Sequence, residues 1–143
     1  MRQHAVLIGY GRAGSRTLGA LKKRGIEFVV VDEDAGVIRK LIAEGIPCVH
    51  GDGSDPQTLK RAHCREARAV FCSMRRTRDA LTALNYLKDV PTEVLVRVFE
   101  TSEEDQVRLA GGQPVQTADA AAEQFLRWAD VNLSEVNNDI LTC

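Results

Sequence analysis

Short apolar runs alternate along the chain with longer stretches in which apolar residues recur every three or four positions. The first run, "HAVLIGY" (4–10), is nearly continuous, as expected of a strand covered on both faces. "RAGSRTLGALKKR" follows with helical spacing, Ala13, Thr17, Ala20 and Leu21 falling on one side and Gly25 placed to end the helix. "EFVVVD" reads as a second strand, "AGVIRKLIAE" as a second helix closed by Gly45, and "PCVH" as a third strand. Asp34 stands where it can cap the second helix. Asp55 and Pro56 then mark a helix start, because aspartate caps and proline at the first helical position sacrifices no hydrogen bond. "RAVFCS" and "EVLVRVF" read as the fourth and fifth strands. Between them "TRDALTALNYLK" puts Ala80, Leu81, Leu84 and Leu87 on one helical face. "TSEEDQVRLAGG" opens with Thr101 and Glu104 in capping-box spacing. A short strand, "PVQT", and a last helix, "ADAAAEQFLRWAD", complete six strand–helix units. Such alternation predicts a parallel sheet with helices on both faces.

The 143 residues suit one domain with one core, taken as 1–133, with the polar residues 134–143 as a tail. A formal net charge of −1 gives no electrostatic reason to expect a nucleic-acid partner. No apolar run approaches the roughly 18–20 residues that cross a bilayer, and no leader peptide is visible, so a cytoplasmic location is expected. The four cysteines lack C-x-x-C spacing, which argues against a zinc or disulfide framework.

Gly9, Gly11 and Gly14 form G-x-G-x-x-G where the first strand turns into the first helix. In dinucleotide binding the first glycine allows the turn, the second lets backbone approach phosphate, and the third lets helix pack on strand. Asp32 follows Gly14 by 18 residues, at the end of the second strand, where a carboxylate can hold ribose hydroxyls. The same carboxylate repels a 2′-phosphate, favouring NAD(H) or an adenine nucleotide over NADP(H). The expected fold is therefore α/β, a Rossmann-like doubly wound parallel six-stranded sheet with helices on both faces.

The third unit adds "GIPCVHGDGSDPQTLKRAHCREARAVFCS". Together with "GYGRAG" and "VVVDED" it closely resembles the N-terminal regulatory domain of potassium channels and transporters, called RCK, KTN or TrkA-N. The resemblance runs from Ala5 to about Ala129. It implies a ligand-sensing domain that binds NAD(H) or ATP/ADP and reports occupancy to a membrane-embedded potassium channel or transporter subunit. It also implies a homodimer or larger ring, associated peripherally with the membrane through that partner. Carried over by residue, Gly9, Gly11, Arg12, Ala13 and Gly14 would line the phosphate, with Arg12 reaching it. Asp32 would hold the ribose and Asp52 would lie beside the adenine. Ser73 would border the cleft, and Arg97 would face ligand or partner. Each also has a plain structural reading: Arg12 as a solvated side chain, Asp52 as a turn former, Ser73 as a loop hydroxyl, Arg97 as the partner of a structural acid.

Two features depart from the family pattern. Gly53 replaces a commoner alanine, which reads as a minor change. "SMRRTRDAL" brings Arg75, Arg76 and Arg78 to the carboxyl edge of the sheet, as extra affinity for phosphate-rich ligands such as ATP, as a site for an acidic partner, or as a solvated basic loop. The family's second subdomain has no counterpart in the chain.

Two other functions compete with sensing. An oxidoreductase-like domain would need a proton-transfer group, and His50, at the end of the third strand, is the histidine nearest the expected cleft. Nothing in the sequence pairs with it, so no enzyme is expected. An assembly module with a degenerate nucleotide site would not need Asp32 with all three glycines. Phe125, Leu126 and Trp128 of the last helix suit either a dimer contact or a cover for their own sheet.

Overall fold

The computed structural model describes residues 2–132, so the tail assigned to 134–143 lies outside the described residues. The strands are β1 (Ala5–Ile8), β2 (Phe28–Asp32), β3 (Cys48–His50), β4 (Ala69–Cys72), β5 (Glu93–Val98) and β6 (Gln113–Gln116). The helices are α1 (Gly11–Lys23), α2 (Ala35–Ala43), α3 (Pro56–Arg61), α4 (Thr77–Leu87), α5 (Thr101–Leu109) and α6 (Thr117–Asn132). All strand pairs are parallel, in the order β3-β2-β1-β4-β5-β6. The order reverses between β1 and β4, and ligands bind at such switch points, outside the carboxyl ends of the strands.

Side chains of β1 divide by parity, as a pleated strand requires. Val6 and Ile8 pack with Leu59, Ala80, Leu84 and Val107, so α3, α4 and α5 cover one face. Ala5 and Leu7 pack with Leu18, Leu21, Ile38 and Leu41, so α1 and α2 cover the other. The buried line of α1 runs through Gly14, Leu18 and Leu21, leaving Thr17 and Ala20 half-buried.

Helix ends follow the local chemistry. Asp34 caps α2, its Oδ1 accepting from the N–H groups of Gly36 (2.7 Å) and Val37 (3.2 Å). Asp55 caps α3 through the Gln57 N–H (3.0 Å), with Pro56 at the first helical position. Gly45, at φ +73°, closes α2 in a left-handed turn that lets the Ile46 N–H reach the Leu41 carbonyl. The box at α5 sits one residue earlier than the spacing suggests. Glu100 is the cap residue, and the Glu103 carboxylate reaches back to the N–H groups of Phe99 and Glu100, both at 3.0 Å. Glu103 also accepts from the Thr77 hydroxyl, which ties α5 to the start of α4. A 3-10 turn at Cys64–Glu66 has no counterpart in the sequence pattern, because His63 enters it with a left-handed backbone (φ 54°) that few non-glycine residues adopt.

We expect Asp34→Ala to cost about 1 kcal/mol, since both capped N–H groups lose their acceptor. Thermal unfolding should show a midpoint lower by roughly 2–8 °C. An unchanged midpoint would contradict the assigned cap.

The described apolar side chains of α6 do not cover the sheet. Phe125, Leu126, Trp128 and Val131 are 60–80% exposed. Burial pushes the thiols of Cys64 and Cys72 up to about 12, with the Glu66 carboxylate adding to the effect at Cys64. Both therefore stay protonated and pack as small apolar groups.

Candidate functional site

At the switch point lies a cleft of about 520 Å³, within the range of small-ligand sites. Ile8 and Val31 form its apolar floor at the ends of β1 and β2. Gly9, Asp32, Asp52 and Ser73 all reach its walls, so four residues spread over the first half of the chain meet in one place.

Gly9 has φ +89°, and a Cβ there would lie 3.4 Å from the Ser73 carbonyl oxygen. A side chain there is opposed by its own left-handed backbone, while Ser73 stands at contact distance. Gly14 acts one turn into α1, where a Cβ would sit 3.0 Å from the Gly9 carbonyl oxygen. Its bareness lets α1 descend onto the turn. Gly11, Arg12 and Ala13 build the first turn of α1. The side chains of Arg12 and Ala13 lie outside the described residues. Tyr10, at the cap position, provides no side-chain hydrogen bond, and no acidic residue occupies the first turn. By contrast, α2 and α3 carry aspartate caps. The start of α1 therefore presents its first N–H groups and positive dipole end without a cap from Tyr10 or a first-turn acid, an arrangement that favours an anion.

Asp32 is joined to that turn. Its Oδ2 accepts from the Tyr10 N–H (2.9 Å) and its Oδ1 from the Asp34 N–H (2.9 Å). One carboxylate thus fixes both the glycine turn and the β2–α2 turn. Each oxygen keeps a second lone pair, so the pair of oxygens can still accept from two hydroxyls.

Asp52 forms a turn of its own. Its Oδ1 accepts from the Ser54 N–H (2.9 Å) and the Ser54 hydroxyl (2.8 Å). These bonds, the N–H first, hold the carboxyl below the ordinary range and outweigh its slight burial. The turn-forming reading of Asp52 therefore holds, and the residue also lines the cleft.

Arg97 stands one step behind the wall. Its Nη2 donates to the Ser73 carbonyl (3.1 Å), and its guanidinium lies 5.1 Å from the centre of the Phe99 ring. Among the described residues no acid pairs with it, so its structural partner is a carbonyl rather than a carboxylate. His50 also lies outside the cleft wall, its Nε2 2.9 Å from the Glu33 carbonyl oxygen.

The cleft includes residues the sequence did not single out as ligands. Glu33 adjoins Asp32, Met74 follows Ser73, and Asp79 lies in the first turn of α4, whereas Arg75 and Arg76, which the sequence already offers as a basic group at this edge, line the same cleft. Adjacency to a chosen residue at a strand end was the available signal. Gly53 corrects an expectation. A Cβ there would sit 2.2 Å from Ile8 Cγ2, so alanine in its place is not a minor change in this packing.

The model of the family described as TrkA-N domain matches residues 5–117. The protein named as K(+) efflux antiporter KefB of Alkalimonas amylolytica is 29% identical over 119 residues, 80% of this chain and 18% of its own length. The Trk system potassium uptake protein TrkA of Streptomyces coelicolor is 28% identical over 127 residues, 87% of this chain and 57% of its own length. The chain thus spans less than two thirds of either relative. Among solved structures, the TrkA-N domain of the inner membrane protein ybaL of Escherichia coli superposes with a TM-score of 0.84 at 23% identity, covering 90% of this chain and 97% of its own. The GsuK channel bound to NAD gives 0.73 at 24% identity, covering 80% and 21%. The AMP-bound Kef CTD of Shewanella denitrificans gives 0.72 at 16% identity, covering 97% and 90%. At these identities the superpositions establish the shared fold.

Proposed function

This chain belongs to the TrkA-N domain family, and we propose from that premise that it is a nucleotide-sensing regulatory domain of a potassium channel or transporter system. NAD(H) or ATP/ADP is its ligand, and the cleft at the ends of β1–β4 is the binding site. One observation carries the reading: Asp32 and the glycine turn form a single hydrogen-bonded unit, with an uncapped helix start beside it. A nucleotide phosphate meets the N–H groups of Gly11, Arg12 and Ala13. Its ribose hydroxyls donate to the lone pairs that Asp32 keeps after binding Tyr10 and Asp34. Gly14 keeps α1 low enough for this, Asp52 edges the base, and Ser73 borders the far side. Arg97 holds Ser73 in place through its carbonyl.

Binding rather than chemistry is the better fit. The His50 ring is engaged with the Glu33 carbonyl, and His4 is fully buried with its Nε2 3.0 Å from the Ala62 carbonyl oxygen. Neither is placed to exchange a proton with a ligand at Ser73. The names of the relatives support a membrane-embedded potassium channel or transporter as the partner. Among the described residues no helix is long and apolar enough to cross a membrane. In this reading, which rests on the relatives, the domain works as a cytoplasmic unit docked on that partner. The exposed apolar side chains of α6 suit a homodimer or ring. A ligand drives the partner by binding one arrangement of the assembly more tightly than another.

Thermal unfolding with NAD⁺, NADH, NADP⁺, ATP and ADP tests the site. A nucleotide at 100 times its dissociation constant should add about 2.7 kcal/mol. NADP⁺ should do least, because its 2′-phosphate meets Asp32 and Glu33. No shift with any nucleotide would favour an assembly module with a degenerate site.

A further inference from the structure

The two halves of the cleft carry opposite charge. Asp32 and Glu33 end β2, and Asp52 follows β3. Across the switch point, Arg75 and Arg76 follow β4 and line the other half. Asp79 is the acid on that side, leaving an excess of one positive charge. Both arginines are exposed, and among the described residues neither forms an ion pair. Arg78 is not part of the wall. The uncapped start of α1 follows the Gly9 turn between the two halves.

We propose that Arg75 and Arg76 make this site selective for an adenine nucleotide ending in a free di- or triphosphate, ADP or ATP, over NAD⁺. The inference rests on the nucleotide reading above and refines it. With the ribose at Asp32 and the first phosphate at α1, the rest of the ligand must extend toward β4. A dinucleotide crosses the crevice and puts its second nucleoside there. For NAD⁺ that part is a neutral ribose and a cationic nicotinamide, which gains nothing from two guanidinium groups. For ADP or ATP it is a terminal phosphate, which arginine recognises through paired, charge-assisted hydrogen bonds.

Isothermal titration of the full chain with ATP, ADP, AMP and NAD⁺ tests this, alongside the paired change Arg75→Gln and Arg76→Gln and the control Arg78→Gln. Both wall arginines are exposed, so folding should be unaffected, which the melting temperature checks. The wild-type chain should bind ATP and ADP more tightly than NAD⁺. The paired change should weaken ATP about tenfold or more, close to 1.4 kcal/mol per factor of ten. NAD⁺ affinity should change by less than about threefold, and Arg78→Gln should leave ATP affinity unaltered. Tighter binding of NAD⁺ than of ATP and ADP by the wild-type chain would overturn the proposal. So would an equal loss for all four ligands in the paired variant. Those results would leave the nucleotide site standing, whereas no binding of any ligand would remove the site and this selectivity together.

Discussion

Asp32→Ala is expected to abolish the rise in melting temperature that an adenine nucleotide produces, and to lower the midpoint of the ligand-free chain as well. The two effects have separate causes. In the free chain the carboxylate accepts from Tyr10 and Asp34, one oxygen each. Hydrogen bonds to a charged group contribute about 1.5–3 kcal/mol each when buried, and Asp32 is only half-buried, so a total near 2 kcal/mol is the reasonable expectation. With ligand present, the ribose also loses its acceptor and the glycine turn its tether. Asp32→Asn sharpens the test. Both carboxylate oxygens already face N–H donors, so an amide must turn its own NH₂ toward one of them. The asparagine variant should therefore behave almost as badly as alanine, although it has the same shape. Discrimination against NADP⁺ should narrow in both variants, because one of the two repelling carboxylates is gone and Glu33 alone remains. A full nucleotide-induced shift in Asp32→Ala would remove Asp32 from the site and break the central link of the functional reading.

How legible all this was in the sequence depends on the kind of interaction involved. The order of elements follows from period and punctuation: the valine run of β2, the Asp55–Pro56 start of α3, and Gly45 after α2 each report their own neighbourhood. The same holds for Gly9, Gly11, Gly14 and Asp32, whose places in the turn, the start of α1 and the end of β2 are set by spacing along the chain. Contacts across the sheet could not be read this way. Nothing in "EVLVRVF" says that Arg97 will support the Ser73 carbonyl from the next strand. Asp52 as a turn former is legible because both of its bonds go to Ser54, two residues on. The box at α5 lies one residue before the position the spacing suggests because the rule asks for serine or threonine at the cap, which Thr101 satisfies and the actual cap, Glu100, does not. The Thr77 hydroxyl and the N–H groups of Phe99 and Glu100, all contributed from outside the helix, select Glu103.

Gly53 is the residue where sequence and structure part most clearly, and it carries the second large prediction. An added Cβ would meet Ile8 Cγ2 at 2.2 Å, with Met74 Sδ at 3.4 Å behind it. Ile8 cannot yield easily. It is 2% exposed, paired in register with Val31 and Cys72, and branched at Cβ, so Cγ2 moves only if χ1 or the strand moves. Gly53→Ala should therefore cost about 1–3 kcal/mol through overpacking. Because Gly53 and Ile8 both line the cleft, nucleotide binding should weaken along with stability. A double-mutant cycle identifies the cause. Ile8→Ala alone opens a cavity and should cost about 2–5 kcal/mol. In that background the offending methyl is gone and the remaining contacts, Met74 Sδ at 3.4 Å and Ile8 Cβ at 3.6 Å, are ordinary, so Gly53→Ala should then cost almost nothing. The resulting coupling of about 1–3 kcal/mol would assign the loss to this one contact. Equal costs in both backgrounds would place the strain elsewhere. A Gly53→Ala chain as stable as the wild type would mean that β1 and the β3–α3 turn can separate, and that the cleft floor is softer than its packing implies.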